Sequence, residues 1–275
     1  MLDLVSKPRL QEESDTMSVS ARKRLSSTIL TMASVAVATV AYAQPPAINA
    51  DDAVRYLALG DSIAAGYKAV PVTQAYPYLL YQDGAFDQIT STLFCNAAVP
   101  GATSTDVLVH QVPQALIPFG EGGFHADNIT LTVGGNDLLA ILKFAATHPD
   151  QAEVFQFANQ VLVTYGQNLG AIIGRLRSGL PTAKIFVANQ YTVPEIEAVL
   201  PLTGQIIAAF NNVLAQVARQ FPTNVYVVDI HGAFLGRQGL LLVERHGASP
   251  IETHLTTTGH RVMEQAFADV IAGNK

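Results

Sequence analysis

Five short apolar, β-rich runs punctuate the chain, at Arg55–Leu59, Thr92–Ala97, Asn128–Val133, Lys184–Asn189 and Asn224–Ile230. Each is apolar almost throughout rather than alternating, and each is followed closely by Gly, Asn, Asp or Pro. Strands of this kind are covered on both faces, which is the condition of a parallel sheet. Helical-period segments fill the gaps. The clearest runs from Ala152 to Arg177, with Val154, Phe157, Val161, Leu169, Ile172, Ile173 and Leu176 on one face. Others span Leu202–Gln220 and Thr257–Ala272, with a shorter one at Asp137–Ala146. Alternation of this sort predicts an α/β fold, a three-layer α/β/α sandwich of about five parallel strands with right-handed crossovers.

The first 43 residues read as an N-terminal extension and a signal peptide. Met17–Arg24 is a basic n-region, Leu25 to Val40 is apolar or small, and Ala41-Tyr42-Ala43 is a small-x-small cleavage site. A membrane anchor is the competing reading. The apolar part, diluted by Ser26, Ser27, Thr28, Thr31 and Ser34, falls short of the roughly 20 residues of a stable span. Translation starts at Met1 or, because Met1 to Thr16 is polar, at Met17. Cleavage after Ala43 predicts a secreted or periplasmic protein with a single domain at residues 44–275. That leader carries five of the 16 Lys and Arg and four of the 22 Asp and Glu. The remaining 11 against 18 give a formal charge of −7, with no basic patch for nucleic acid or an anionic membrane surface. Cys95 is the lone cysteine and lies in the apolar run Leu93-Phe94-Cys95, so it reads as a small core residue. Asn128-Ile129-Thr130 matches a glycosylation sequon but falls in a predicted buried strand.

Open parallel sheets bind ligands beyond the carboxyl ends of their strands, so functional residues are sought just after the five runs. Leu59-Gly60-Asp61-Ser62 puts a serine in a glycine-flanked turn after the first. A serine hydroxyl is a poor nucleophile until a base takes its proton. Of seven histidines, His110, His125, His148 and His246 lie in loops or polar positions, and His231 follows the last strand. His254 and His260 remain, in a segment that enters the last helix, with Thr256 or Thr257 as N-cap. Gly101 follows the second run, where its N–H can approach a ligand without a side chain in the way. Asn136, in Gly134-Gly135-Asn136-Asp137 after the third, carries an amide donor able to point into the same space.

These four segments, in this order from Leu59 to His260, resemble the GDSL, or SGNH, hydrolase family. The resemblance implies a flavodoxin-like fold, a serine esterase or lipase, and a lipid or small-molecule ester as substrate. It implies Ser62 as nucleophile and His254 as general base, with His260 as a structural residue. Ser62 N–H, Gly101 N–H and the Asn136 side chain would form the oxyanion hole. Asp61 would buttress the turn. No metal or organic cofactor is implied, since neither a clustered ligand set nor a phosphate-binding Gly-x-x-x-x-Gly-Lys is present. The Gly-x-Ser-x-Gly elbow of α/β-hydrolases is missing too. A catalytically silent exported protein that binds carbohydrate or lipid on the same fold is the alternative.

The family usually places an aspartate three residues before the histidine, and here that position is Ile251. Three groups can replace it. The Ile251 carbonyl needs no change in the loop's path and is the favoured acceptor for the His254 ring. Glu252 is one residue closer and one methylene longer, and Asp229 ends the fifth strand. Tyr67, Val70, Val72, Tyr76 and Tyr78 either line an acyl pocket or pack a helix. Substrate and oligomeric state are not legible.

Overall fold

The computed structural model describes residues 53–87, 91–118, 121–199, 201–242 and 252–275. The leader, His246 and Ile251 lie outside the described residues. Strands β1 (Val54–Gly60), β2 (Thr92–Asn96), β3 (Asn128–Thr132), β4 (Lys184–Ala188) and β5 (Val225–Val228) form one sheet in the order β2-β1-β3-β4-β5. All four pairings are parallel, as the apolar runs require.

Successive residues of β1 feed opposite layers. Leu57 and Leu59 join Ile129, Leu131, Ile185 and Val187 under one set of helices, while Tyr56 and Ala58 join Phe186, Ala188 and Val228 under the other. The first layer is dominated by α6 (Gln151–Gly179) and α8 (Thr203–Arg219), which bury Tyr165, Leu169, Ile172, Phe210 and Leu214. It also contains α3 (Ser104–Asp106), a π-helical turn at Val107–Gln111, α4 (Val112–Ala115) and α5 (Gly135–Ala145). The second layer holds α1 (Ser62–Ala65), α2 (Tyr76–Gln82), α9 (Ile230–Phe234), α10 (Gln238–Leu241) and α11 (Thr257–Ala272). Between β4 and α8 lies α7 (Pro194–Val199). The three-layer sandwich expected from the sequence is therefore the observed fold.

Caps explain where the helices begin. Asp150 accepts the Ala152 N–H at 2.8 Å to start α6, and Thr256 accepts the Gly259 N–H at 3.0 Å to start α11. Tyr76 and Phe267 stack at 4.9 Å between α2 and α11, both fully buried. Truncating either ring would cost about 3–5 kcal/mol. Cys95 is half-buried against the first layer, and burial pushes its thiol up. Among the described residues no helix is long and apolar enough to cross a membrane.

This strand order puts the topological switch between β1 and β3, since the chain leaves β1 for β2 on one side and returns to β3 on the other. Ser62 follows β1 and Asn136 follows β3. Both therefore stand at the crevice where such sheets hold their ligands.

Candidate active site

Gly60 turns the chain sharply at the end of β1. Its φ is +130°, and a Cβ there would sit 2.0 Å from the Thr132 carbonyl oxygen, so only glycine fits. The next residue, Asp61, caps α1: its Oδ1 accepts the Ile63 N–H at 3.0 Å and the Thr132 hydroxyl at 2.9 Å. Burial pushes the Asp61 carboxyl up to about 6, against the lowering effect of those bonds. Ser62 is then the first residue of α1, with its side chain facing a cleft.

His254 meets it there. Its Nε2 lies 2.8 Å from the Ser62 hydroxyl oxygen, across 192 positions of sequence. Its Nδ1 faces Glu252 Oε1, which also accepts the backbone N–H groups of Thr253 and His254 at 3.0 Å each. The other carboxylate oxygen stands 3.9 Å from the Lys68 ammonium. Burial raises the Glu252 carboxyl, but the hydrogen bonds from His254 and Thr253 more than offset it and hold the group below its ordinary value. Of the three groups considered for this role, Glu252 is the one that faces Nδ1 among the described residues, and the Ile251 carbonyl lies outside them. Asp229 is engaged elsewhere, accepting from Asn189 at 2.7 Å and the Gly232 N–H at 2.9 Å. The Tyr67 ring packs edge-on to the imidazole, with centroids 4.6 Å apart.

The loop that carries His254 is tied on both sides. Tyr191 donates its hydroxyl proton to the Thr253 carbonyl at 2.6 Å, and the Thr256 N–H bonds the Leu241 carbonyl at 2.8 Å. His260 is fully buried, its Nδ1 3.4 Å from the Tyr76 N–H, and burial pushes its pKa down to about 4. It locks α11 onto α2 and takes no part in the cleft.

Gly101 and Asn136 line the same cleft as Ser62 and His254. The side chain of Asn136 donates one N–H to the Ala102 carbonyl at 2.9 Å, and its amide carries a second. At Gly101 φ is +86°, with open space where a Cβ would lie. The backbone conformation favours glycine here, and the open space leaves the cleft side of the turn clear of a side chain. Asp137 accepts the Ser104 N–H at 2.9 Å and the Ser104 hydroxyl at 2.6 Å, fastening the Gly101 loop to the head of α5.

Gln111 escaped the sequence reading. It is buried on the π-helical turn, where its Oε1 accepts the Gly60 N–H at 2.8 Å and its Nε2 donates to the Gly60 carbonyl at 2.8 Å. The one available signal was a long amide inside the apolar stretch Val107–Ala115. The five residues that could either line a pocket or pack a helix divide between roles. Tyr67 lines the cleft, but Tyr76 is core, Tyr78 stands edge-on to Phe94, and Val70 and Val72 are exposed. Among the described residues no group of three or more His, Cys, Asp or Glu is placed to hold a metal ion.

A doubly covered parallel sheet with a serine and a histidine in contact at its switch point defines an α/β/α hydrolase. The chain belongs to the GDSL-like lipase/acylhydrolase family, whose model matches residues 58–262. It is thus an esterase or lipase of that type. Among solved structures it is similar to a lipase from a goat rumen metagenome, 21% identical over 79% of this chain and 97% of that one, with a TM-score of 0.60. It is also similar to phospholipase A1 from Streptomyces albidoflavus, at 21% over 81% and 100% and a TM-score of 0.59. An acetylxylan esterase from Geobacillus stearothermophilus is 18% identical over 80% and 95%, with a TM-score of 0.57. No curated protein matches the chain in sequence.

Proposed function

We propose that the protein is an exported serine hydrolase that cleaves carboxylic esters through an acyl-enzyme. The 2.8 Å contact between Ser62 Oγ and His254 Nε2 carries the reading. With the Nδ1 proton directed at Glu252, Nε2 keeps a lone pair for the serine proton. Ser62 Oγ then attacks the ester carbonyl as His254 takes its proton. The carbonyl oxygen gathers negative charge and is met by the Ser62 N–H, the Gly101 N–H and the free N–H of Asn136. Collapse expels the alcohol, which leaves with the proton from His254. A water molecule repeats the sequence on the acyl group and restores the serine. Glu252 holds the ring in the required tautomer and stabilises the imidazolium while it lasts. Export is supported by the basic, apolar and small-x-small order of residues 17–43.

Ser62→Ala is the direct test. A fluorophosphonate should label wild type at residue 62 and leave the variant unmarked, and the variant should lose burst release from a p-nitrophenyl ester. Unchanged turnover in the variant would refute the assignment. Chemical sequencing of the exported protein should begin at Gln44.

A further inference from the structure

We propose, building on the ester-hydrolase reading above, that the cleft beside Ser62 is an acyl-chain chamber. The enzyme would thereby prefer esters of medium-length apolar acids over acetyl esters. The cavity measures about 430 Å³. Beyond Ser62 and Asn136 its wall is built by Leu138, Leu139 and Leu142 of α5, Ile196 of α7, and Ile206 and Ile207 of α8. Leu138, Leu139, Leu142 and Ile206 are only partly buried, so they turn apolar surface into the open space.

Several polar side chains of the lining already have partners within the protein. Asn189 donates to Asp229 and accepts the His231 N–H, and Gln190 donates to the Val133 carbonyl. Tyr191 donates to Thr253, and Thr132 donates to Asp61. No lysine, arginine or glutamate is among the described residues that line the chamber. A sugar placed against the leucine and isoleucine wall would bury hydroxyls with no partner there, and a phosphate would find no lysine or arginine. An alkyl chain loses nothing.

The direction follows from the reaction. Asn136 stands at the carbonyl end, and the next turns of α5 continue from it as the apolar wall. Next to His254 Nε2, where the alcohol must leave, the surroundings are different. Tyr67, which packs edge-on to the imidazole at the mouth of the cavity, is 47% exposed, and the Lys68 side chain, 42% exposed, lies beyond it where it faces Glu252 on the Nδ1 side of the ring. The acyl chain therefore runs under α5 toward α8, and the alcohol faces the open, polar side. A methylene takes roughly the 30 Å³ of a water molecule, so a chain of about eight carbons fills a little over half of the cavity and leaves the rest to the carbonyl and alcohol ends. An acetyl methyl would leave the chamber nearly empty.

The test is kcat/KM for p-nitrophenyl esters from acetate to dodecanoate, kept below micelle formation. The expected rise is about fourfold per methylene, up to about eight carbons, followed by a decline. Leu139→Phe and Ile206→Phe, which fill the chamber, should each lower the octanoate-to-butyrate ratio about tenfold and move the optimum to shorter chains. A flat series, a maximum at acetate, or a ratio indifferent to both variants would overturn the chamber. Fluorophosphonate labelling of the same samples separates the two readings. A labelled Ser62 with a flat series removes the chamber alone, whereas neither labelling nor hydrolysis removes the ester-hydrolase mechanism with it.

Discussion

Glu252 stands two residues before His254, and its extra methylene lets a carboxylate reach the ring from a position where aspartate would fall short. Folding back over its own loop, it collects two backbone N–H groups besides the imidazole, so its orientation is set before any substrate arrives. A neutral amide at this site could still touch Nδ1 but would not stabilise the imidazolium. Glu252→Gln is therefore expected to lower kcat by roughly 10³–10⁴-fold, the scale of removing a triad carboxylate, with little change in KM. A loss below tenfold in steady-state assays would mean another acceptor serves. At this scale the motifs were legible, since Ser62, Gly101, Asn136 and His254 each stand at a strand or helix end. The partner of Nδ1 was not, because three acceptors within reach by sequence differ only in how the loop folds.

Among the elements, the π-helical turn at Val107–Gln111 has a definite task. One extra residue per turn re-aims a side chain relative to an α-helix, and such turns gather at functional sites. Here Gln111 is directed at the strained Gly60 backbone, from which Ser62 is hung. The Gly60 carbonyl also accepts the Val99 N–H at 3.0 Å, but Gln111 is the acceptor for the Gly60 N–H. Gln111→Leu keeps most of the volume and leaves that N–H buried and unpaired. It should cost about 1–3 kcal/mol in urea unfolding and should lower kcat more than it raises KM. Equal stability would show that water or a backbone shift satisfies Gly60. The short helices are too brief to show a period, whereas the five strands and the four longest helices were readable within a residue or two, because their periodicity is local. The turn was not, since nothing in its apolar pattern distinguishes π from α.

For the molecule as a whole, two buried groups impose opposite pH dependences. The Asp61 carboxyl, pushed up to about 6, binds its proton more tightly folded than unfolded, so its contribution is full below about pH 4 and is lost as pH rises to 6. His260, pushed down to about 4, does the reverse, and stability is lost as pH falls from about 6.5 toward 4. The two slopes oppose one another over the same window, leaving wild-type stability nearly level there. Asp61→Asn keeps an oxygen for Ile63 and Thr132 while removing the charge. It should relieve a penalty on the order of 3 kcal/mol at pH 7 and expose the His260 slope. Calorimetry should then find the variant at least as stable as wild type at pH 7, with a Tm falling steeply between pH 6.5 and 4. A variant as level as wild type would show that the two groups do not balance.

Sequence alone determined the doubly covered parallel sheet, its five strands and the four candidate positions, three after strands and one at the entry to the last helix. Apolar runs, helical periods and turn residues act over neighbours, and the sheet's topology sends strand ends to one crevice. Tertiary packing decided what the local pattern could not. The clamp of Gln111 on Gly60 spans 51 positions and the His254–Ser62 contact spans 192. The chamber belongs to three helices at once. Whether Glu252 or a carbonyl meets the imidazole depended on the path of a loop held by Tyr191 and Leu241 from outside it. Such contacts are set by how layers pack, and no residue carries them in its own neighbourhood.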